Sequence, residues 1–284
     1  MADYLVTGGC GFIGSHLAEG LLARGDGVVV LDNLSSGKRS NIAPGVRLVE
    51  GDVADPDAVA RAIAGCAGVF HLAGVASVAW CNEHWRAGHL TNQTGSVTVF
   101  EAAAHAGRIP VVYASSAAVY GDAGEGPADE SRGGRPLTAY GADKYGSELH
   151  GRIAFGVHGV PAVGIRPFNI YGPRQDPSSA YSGVISIFND RLGRGLPVTI
   201  FGDGAQTRDF VFVTDVVRFL LAAMERAPVV AGQVFNVCTG RATTLIELVA
   251  TLAGVLGRRP EITHAAPRLE IGRASCRERV LLMV

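Results

Sequence analysis

Three side chains near the middle of the chain have the types and spacing for moving a proton on and off an alcohol. Ser116 lies in the run Ala114-Ser115-Ser116-Ala117-Ala118-Val119-Tyr120-Gly121, and Tyr140 opens the run Tyr140-Gly-Ala-Asp-Lys144. Tyr140 and Lys144 are four apart, so on a helix they share one face, a turn from each other. A free phenol loses its proton near pH ~10, and a cation within about 4–6 Å favours the phenolate by roughly 1–3 units. Lys144 is placed to be that cation and Ser116 to hold the oxygen of the alcohol, which makes Tyr140 a candidate general base. Tyr-x-x-x-Lys also arises by chance in helices. Here the composition argues otherwise: the chain holds only two lysines, Lys38 and Lys144, and uses arginine for its other cations. Arginine does not replace a compact, titratable ammonium.

Such a triad needs elements that hold it, and the first of these is at the N-terminus. The apolar strand Tyr4-Leu5-Val6-Thr7 runs into Gly8-Gly9-Cys10-Gly11-Phe12-Ile13-Gly14, after which Leu17, Leu21 and Leu22 repeat at helical spacing. Glycines at 8, 11 and 14 allow a tight turn, close approach of a pyrophosphate to the backbone, and close packing of helix on strand. The free N–H groups of the helix start then face the phosphates. A second strand, Val28-Val29-Val30-Leu31, ends in Asp32, which can accept from both ribose hydroxyls and would repel a 2′-phosphate. The pattern therefore specifies a dinucleotide site with NAD preferred over NADP. Lys38 and Arg39 fall beyond the strand end and are expected to face solvent.

Strand and helix keep alternating. Val46 to Glu50 leads to Gly51-Asp52-Val53, with Asp52 in reach of an adenine amine. Gly68-Val-Phe-His-Leu-Ala-Gly74 is a strand with a small-residue tail that lets a cofactor pass, and a helical run starts at Asn92. Pro110-Val-Val-Tyr113 feeds the serine stretch, and residues 160–166 form a sixth strand. This βα alternation implies a parallel sheet covered on both faces, with ligands at the carboxyl ends of its strands. From Pro167 the texture turns rich in Pro, Gly and Asn, as where a chain crosses into a second lobe. A glycine turn at Phe201-Gly-Asp-Gly204 then delivers Arg208, suited to forked contact with phosphate. No internal repeat or low-complexity linker separates the lobes, so they are expected to interleave.

Bulk properties set the remaining bounds. The chain has 284 residues, a net charge of −1 and 48% apolar content, which suits a soluble globular protein of one large or two intimate domains. That charge offers no field for nucleic acid or an anionic membrane. No apolar run reaches spanning length, and no basic or apolar leader precedes the first strand. The five cysteines show no paired spacing, so a reduced, cytoplasmic setting is expected. The eight histidines form no metal-ligand pattern, and no metal is expected.

Taken in order, Thr7-Gly-Gly-Cys-Gly-Phe-Ile-Gly14, Asp32-Asn-Leu, Gly51-Asp52, Ser115-Ser-Ala-Ala-Val-Tyr-Gly121, Tyr140-x-x-x-Lys144 and Arg166-Pro-Phe-Asn-Ile-Tyr-Gly172 closely resemble the extended short-chain dehydrogenases acting on nucleotide sugars, and among them the UDP-glucose 4-epimerases. The resemblance spans residues 3 to about 268. It implies a doubly wound parallel α/β sheet of Rossmann type over residues 1–166, with returning segments near 209–238, and a smaller, interleaved substrate lobe over 167–269. It implies bound NAD, with Asn33, Ser36, Gly37, Val53, Leu72, Ala73, Asn92, Ala114 and Pro167 beside the dinucleotide as well as Gly8, Gly11, Phe12, Ile13, Gly14, Asp32, Asp52, Gly74, Tyr140 and Lys144. The substrate would be a UDP-sugar: Tyr140, helped by Ser116, would take the proton of the 4-hydroxyl while carbon 4 gives a hydride to the nicotinamide, and the 4-keto sugar would turn over and take it back on its other face. Lys144 would hold the ribose hydroxyls and keep Tyr140 acidic. Asn169, Arg208 and Arg268 would hold the diphosphate, Val184 and Phe201 would border the uridine, and a homodimer would form through the helices after Asn92 and around Tyr140.

The sequence also sorts within that family. Related 4,6-dehydratases carry an acid between the catalytic Ser/Thr and the Val-Tyr-Gly. This chain has Ala117 and Ala118 there, which argues against dehydration. UDP-glucuronate 4-epimerisation, or another nucleotide-sugar oxidoreduction, stands as the alternative. A cofactor-sensing regulator on this fold would usually lose the Tyr–Lys pair, and both residues are kept. Asp143 stands where relatives often have Ser or Thr, Ala76 where some have lysine, and Pro167 where some have Tyr.

The tail departs from the pattern. Ile271 to Val280 can be encoded by ATC GGA AGA GCG TCG TGT AGG GAA AGA GTG, a string that matches a common short-read sequencing adapter. The AG before it completes a Glu270 codon. Residues 270–284 are therefore expected to be read-through, and the pocket residue that sorts acetylated from unacetylated sugars to lie past the break.

Overall fold

The computed structural model describes residues 2–122, 128–177 and 183–266. Seven parallel strands form the main sheet: β1 (Asp3–Thr7), β2 (Gly27–Asp32), β3 (Arg47–Glu50), β4 (Gly68–His71), β5 (Val111–Ala114), β6 (Ala162–Pro167) and, late in the chain, β10 (Val234–Val237). Their order is β10-β6-β5-β4-β1-β2-β3. Runs such as Val28-Val29-Val30-Leu31 are apolar on both sides because helices cover both faces. On one face α1 (Phe12–Ala23) and α8 (Val213–Val230) pack on Val6, Val30, Phe70 and Phe235. On the other, α2 (Pro56–Ile63) and α5 (Gly95–His105) cover Leu5, Val29, Val69 and Val111.

The order reverses beside β1, since the chain builds outward through β2 and β3, then returns to β4 on the other side. A crevice opens at such a switch point, past the carboxyl ends of β1 and β4. Short helices α3 (Val78–Glu83) and α4 (Trp85–His89) lead through a single π-helical turn, Leu90–Thr94, into α5. The helical run expected to start at Asn92 thus begins earlier, at Trp85, and Asn92 sits in that wider turn. After β5, a 3₁₀ turn spans Ala117–Tyr120 and α6 spans Ala139–Gly156.

The smaller lobe is built from β7 (Asn169–Tyr171), α7 (Val184–Gly193), β8 (Val198–Phe201), β9 (Thr207–Phe212), β11 (Ala242–Thr244), α9 (Leu245–Leu256) and β12 (Ile262–Ala265). The strands form two small sheets, β11-β9-β7 and β12-β8. Phe188, Leu192, Ile200, Leu248 and Val249 make its separate core. The chain leaves the main sheet at β6 and returns to it at β10, beside β6. Thr244 caps α9 reciprocally with Glu247, which fixes where this helix starts.

Candidate active site

The glycine loop after β1 is shaped by contacts that no side chain could share. Gly8 has φ +70°, and a Cβ there would lie 2.8 Å from the Ala73 backbone at the end of β4. A Cβ on Gly14 would lie 2.3 Å from the Gly8 carbonyl oxygen, so the first turn of α1 presses directly on the loop. Gly11 is the N-cap of α1 and supplies no side-chain acceptor, which leaves the N–H groups of Phe12, Ile13 and Gly14 without helical partners. Among the described residues, this is a cradle for an anion at the mouth of the switch-point crevice.

At the end of β2, Asp32 is held on two sides. Its Oδ2 accepts from Cys10 N at 2.9 Å and its Oδ1 from Leu34 N at 2.8 Å. The carboxylate is thereby fixed beside the glycine loop, with lone pairs left for ribose hydroxyls. Asn33 Nδ2 donates to Asp52 Oδ2 at 2.9 Å, joining the ends of β2 and β3 where adenine would lie. Ser36 is exposed, and Gly37 packs against Cys10 and Asp32. Leu72, Ala73 and Gly74 continue β4 past the loop, with the Ala73 N–H donating to Thr7 Oγ1 at 3.2 Å. These residues fit a dinucleotide whose pyrophosphate rests on α1 and whose adenosine runs toward Asp32.

Two further expected cofactor residues are fixed by packing and hydrogen bonds near the strand ends, Asn92 against Gly74. The Val53 side chain is buried in the core against Gly95. Asn92 is fully buried. Its Oδ1 accepts from Val75 N at 2.7 Å and its Nδ2 donates to Val75 O at 3.2 Å, so it straps the segment after Gly74 and presents no free amide. Lys38 lies exposed, as expected, and its Nζ donates to Asp176 Oδ2 at 2.7 Å.

Ser116, Tyr140 and Lys144 come together at the end of β5. Ser116 caps the 3₁₀ turn, its Oγ accepting from Ala118 N at 3.1 Å, and its hydroxyl lies near enough to the Tyr140 phenol to favour the ionised form. Thr138 caps α6, accepting from Gly141 N at 3.1 Å, and so places Tyr140 in the first turn of that helix. Lys144 is buried. Its Nζ donates to Ala114 O at 2.9 Å and stands 5.9 Å from the Tyr140 ring centroid. A Cβ added to Gly74 would lie 3.2 Å from that amine, so the segment after β4 packs closely against it.

The electrostatics depart from the expected phenolate. Burial pushes the Tyr140 phenol up to about 12, with only the Ser116 hydrogen bond pulling it down. The ammonium a helical turn away spends a donor on Ala114 O and is itself pushed down to about 8 by burial, Asp143 partly opposing the fall. In the protein alone the triad is therefore assembled with its phenol protonated. The cationic ring of an oxidised nicotinamide is the kind of charge that would lower it.

In the smaller lobe, parallel pairing of β7 with β9 sets Asn169 opposite Phe210, and Asn169 Nδ2 donates to Asp209 O at 2.9 Å. Arg208 is thus beside Asn169. Its Nη1 donates to Thr207 O at 2.7 Å, and burial lowers its affinity for a proton. A largely desolvated guanidinium facing no carboxylate in its described contacts suits an anionic ligand. Val184 starts α7 and packs on the lobe's core, Phe201 ends β8, and Pro167 ends β6. Arg268 and the tail 270–284 lie outside the described residues.

Polar groups not singled out from sequence hold this arrangement. His71 joins Thr7 Oγ1 at 2.8 Å to Ser96 Oγ at 3.0 Å, its burial holding the imidazole neutral with a value near 3. Arg174 reaches Ser15 and Glu19 on α1, and His16 Nε2 meets Pro173 O at 3.0 Å, tying the smaller lobe to the glycine-loop helix. The Pro-Arg that follows Tyr171-Gly172 was the available signal for this strap. Its partners could not be read from sequence because they are more than a hundred residues away.

No described helix is long and apolar enough to cross a membrane, and the described residues hold no cluster of three or more His, Cys, Asp or Glu placed for a metal. Comparison with known proteins agrees with the geometry. The chain is 39% identical over 277 residues to a UDP-glucose 4-epimerase of Mycolicibacterium smegmatis, covering 93% of this chain and 86% of that one. It superposes on a Thermotoga maritima UDP-glucose 4-epimerase crystallised with UDP-glucose at a TM-score of 0.92, with 37% identity, 96% of this chain and 89% of the other. A Thermus thermophilus UDP-glucose 4-epimerase in complex with NAD gives 0.89, also at 37% identity, with the same coverage of the two chains. Residues 4–238 match the sequence model of the NAD dependent epimerase/dehydratase family, and the chain belongs to that family.

Proposed function

We propose that this chain is a nucleotide-sugar 4-epimerase that interconverts UDP-glucose and UDP-galactose or the corresponding N-acetylhexosamine pair. The observation that carries the reading is the convergence of Ser116, Tyr140 and the buried Lys144 at the end of β5, beside Gly74 at the end of β4. Tyr140, once deprotonated, takes the proton of the sugar 4-hydroxyl, and Ser116 holds that oxygen as it becomes a carbonyl. Lys144 holds the ribose next to the reacting centre and carries the positive charge that favours the phenolate. NAD, when bound, supplies the acceptor and then the donor of a hydride at carbon 4. Asn169, Arg208 and Arg268 hold the diphosphate, with Val184 and Phe201 against the uridine. A 4-keto sugar then turns within the pocket, and Tyr140 returns the proton to O4. Ala117 and Ala118 offer no acid to drive loss of water, which favours epimerisation over dehydration.

The same reading assigns residues 1–166 and the returning stretch near 209–238 to cofactor, residues 167–269 to substrate, and 270–284 to a non-native tail. It makes the protein a cytoplasmic homodimer joined through α5 and α6, where Leu149, Ile153 and Phe155 are exposed. The test is incubation of purified protein with UDP-galactose, UDP-N-acetylgalactosamine and UDP-glucuronate in turn, with no added cofactor. Formation of the 4-epimer of either of the first two supports the reading. Conversion of UDP-glucuronate alone replaces the sugar, and conversion of none by an NAD-loaded chain with a restored C-terminus defeats it.

A further inference from the structure

The α6 helix carries two members of the triad, yet little apolar packing fixes it to the sheet. Its buried residues are Gly141, Asp143, Lys144, Ser147, Glu148, Gly151 and Ala154, small or polar almost throughout. Apolar contact is non-directional, and a smooth face of small residues allows a helix to slide or roll. What resists that motion here includes the Lys144 Nζ–Ala114 O bond, the Ser147 hydroxyl contacts and, tying the helix to the serine stretch itself, a set of directional polar contacts centred on Glu148. Tyr140, Lys144 and Glu148 follow at four-residue intervals on one helical face. Glu148 is buried, and its carboxylate takes a forked contact from Arg166, Nε to Oε1 at 2.8 Å and Nη2 to Oε2 at 2.7 Å.

Oε1 also accepts from Ser115 Oγ at 2.5 Å. Ser115 is the neighbour of Ser116, and its N–H donates to Ile165 O at 2.7 Å across β5 and β6. One carboxylate thus joins the helix that carries Tyr140 to the strand end that carries Ser116. Arg166 is anchored in turn, Nη1 donating to Tyr120 OH at 2.8 Å, and that hydroxyl donates to Asn236 Oδ1 at 2.7 Å on β10. Buried ion pairs contribute little net stability, and their best-attested use is to fix register.

We propose that Glu148, acting through Ser115 and Arg166, is a positioning residue that sets the register between Tyr140 and Ser116. It does not touch the substrate. Its role is to keep phenol and serine hydroxyl on one substrate oxygen throughout the reaction, a requirement that apolar packing on this face does not meet. This rests on Tyr140 being the base, as proposed above.

The test uses the cofactor-loaded full chain and three variants. Ser115→Ala removes the serine link and keeps the ion pair, Ser115→Thr restores the hydroxyl, and Glu148→Gln with Arg166→Met removes both charges together. Slight misplacement of reacting groups costs up to roughly a hundredfold in rate, so Ser115→Ala is expected to lower kcat by about tenfold to a hundredfold with KM unchanged. The acid limb of its kcat–pH profile should move to higher pH, because a phenol out of register with Ser116 loses the hydrogen bond that favours its ionised form. Ser115→Thr should recover both, and the double variant, where it folds, should match Ser115→Ala.

A thermal melt of Ser115→Ala like the wild type's, together with those kinetic changes, supports positioning. Wild-type kcat and pH profile in a folded Ser115→Ala protein overturn it, whether or not the double variant folds. A fall in kcat with an unmoved pH profile, not recovered by Ser115→Thr, also overturns it. Tyr140→Phe separates the two levels: if that variant stays active, the base assignment itself fails. If it is inactive while Ser115→Ala behaves as wild type, only the positioning role fails.

Discussion

Replacing Lys144 by methionine should stabilise the cofactor-free protein at neutral pH while abolishing its activity. Burial lowers this amine from 10.5 to about 8. At about 1.4 kcal/mol per pH unit, holding it charged in the fold costs about 3 kcal/mol. Methionine removes that cost but also the Nζ–Ala114 O hydrogen bond, worth about 1 kcal/mol net, so a gain of about 2 kcal/mol is expected. The pH dependence fixes the cause. Below about 8 the amine is charged in both states and the cost is fully present. Between about 8 and 10.5 the unfolded chain binds the proton that the folded one has lost, so wild-type stability rises with pH through this window. Above it the relief is complete and the variant should be the less stable protein by about the lost hydrogen bond, 1 kcal/mol. Cys10, Cys66 and Tyr113 are pushed up by burial and give the opposite slope, but in both proteins alike. Urea melts of wild type and Lys144→Met, stripped of cofactor and compared across that range, give the difference directly. A difference that stays flat with pH would refute the reasoning.

Three further outcomes follow. Tyr140→Phe should fold normally and lose about 10²–10⁴ in kcat, read from initial rates with a UDP-hexose, since general base catalysis contributes that much. Gly14→Ala drives a Cβ to 2.3 Å from Gly8 O, so the purified variant should carry far less NAD than wild type when the nucleotide is released by denaturation and quantified. Arg208→Met should raise KM for the UDP-sugar by roughly ten- to a hundredfold, the worth of a hydrogen bond to a charged group, without lowering the melting temperature. An unchanged KM would remove Arg208 from the substrate site.

The sheet was legible because its strands are apolar runs ending in residues with chemistry, such as Asp32 and Gly74, and helices of clear period lie between them. The glycine loop was equally legible, since its spacing states a steric demand that the Gly8–Ala73 and Gly14–Gly8 approaches then display. Partners distant in sequence were not. Asn92 reads as a polar helix start, and only the fold shows both its amide ends on Val75. The charge state of Tyr140 was not legible for a similar reason: four-residue spacing puts Lys144 near, but spacing does not reveal that one of its donors goes to Ala114 O or that both groups are desolvated. Glu148 falls on the face that Tyr140 and Lys144 define, so its period was visible, while its pairing with Arg166 on the following strand is set by how α6 docks on the sheet.

The most direct test of the central claim follows the hydrogen on carbon 4. UDP-galactose deuterated at that carbon is incubated with the protein, and the UDP-glucose formed is analysed by mass spectrometry and NMR. Removal and return of a hydride within one closed site predicts that the product keeps its deuterium on carbon 4, with none exchanged to solvent. Product formed with the label lost to water would contradict a hydride path through a 4-keto sugar, and with it the role given to Tyr140 and Ser116.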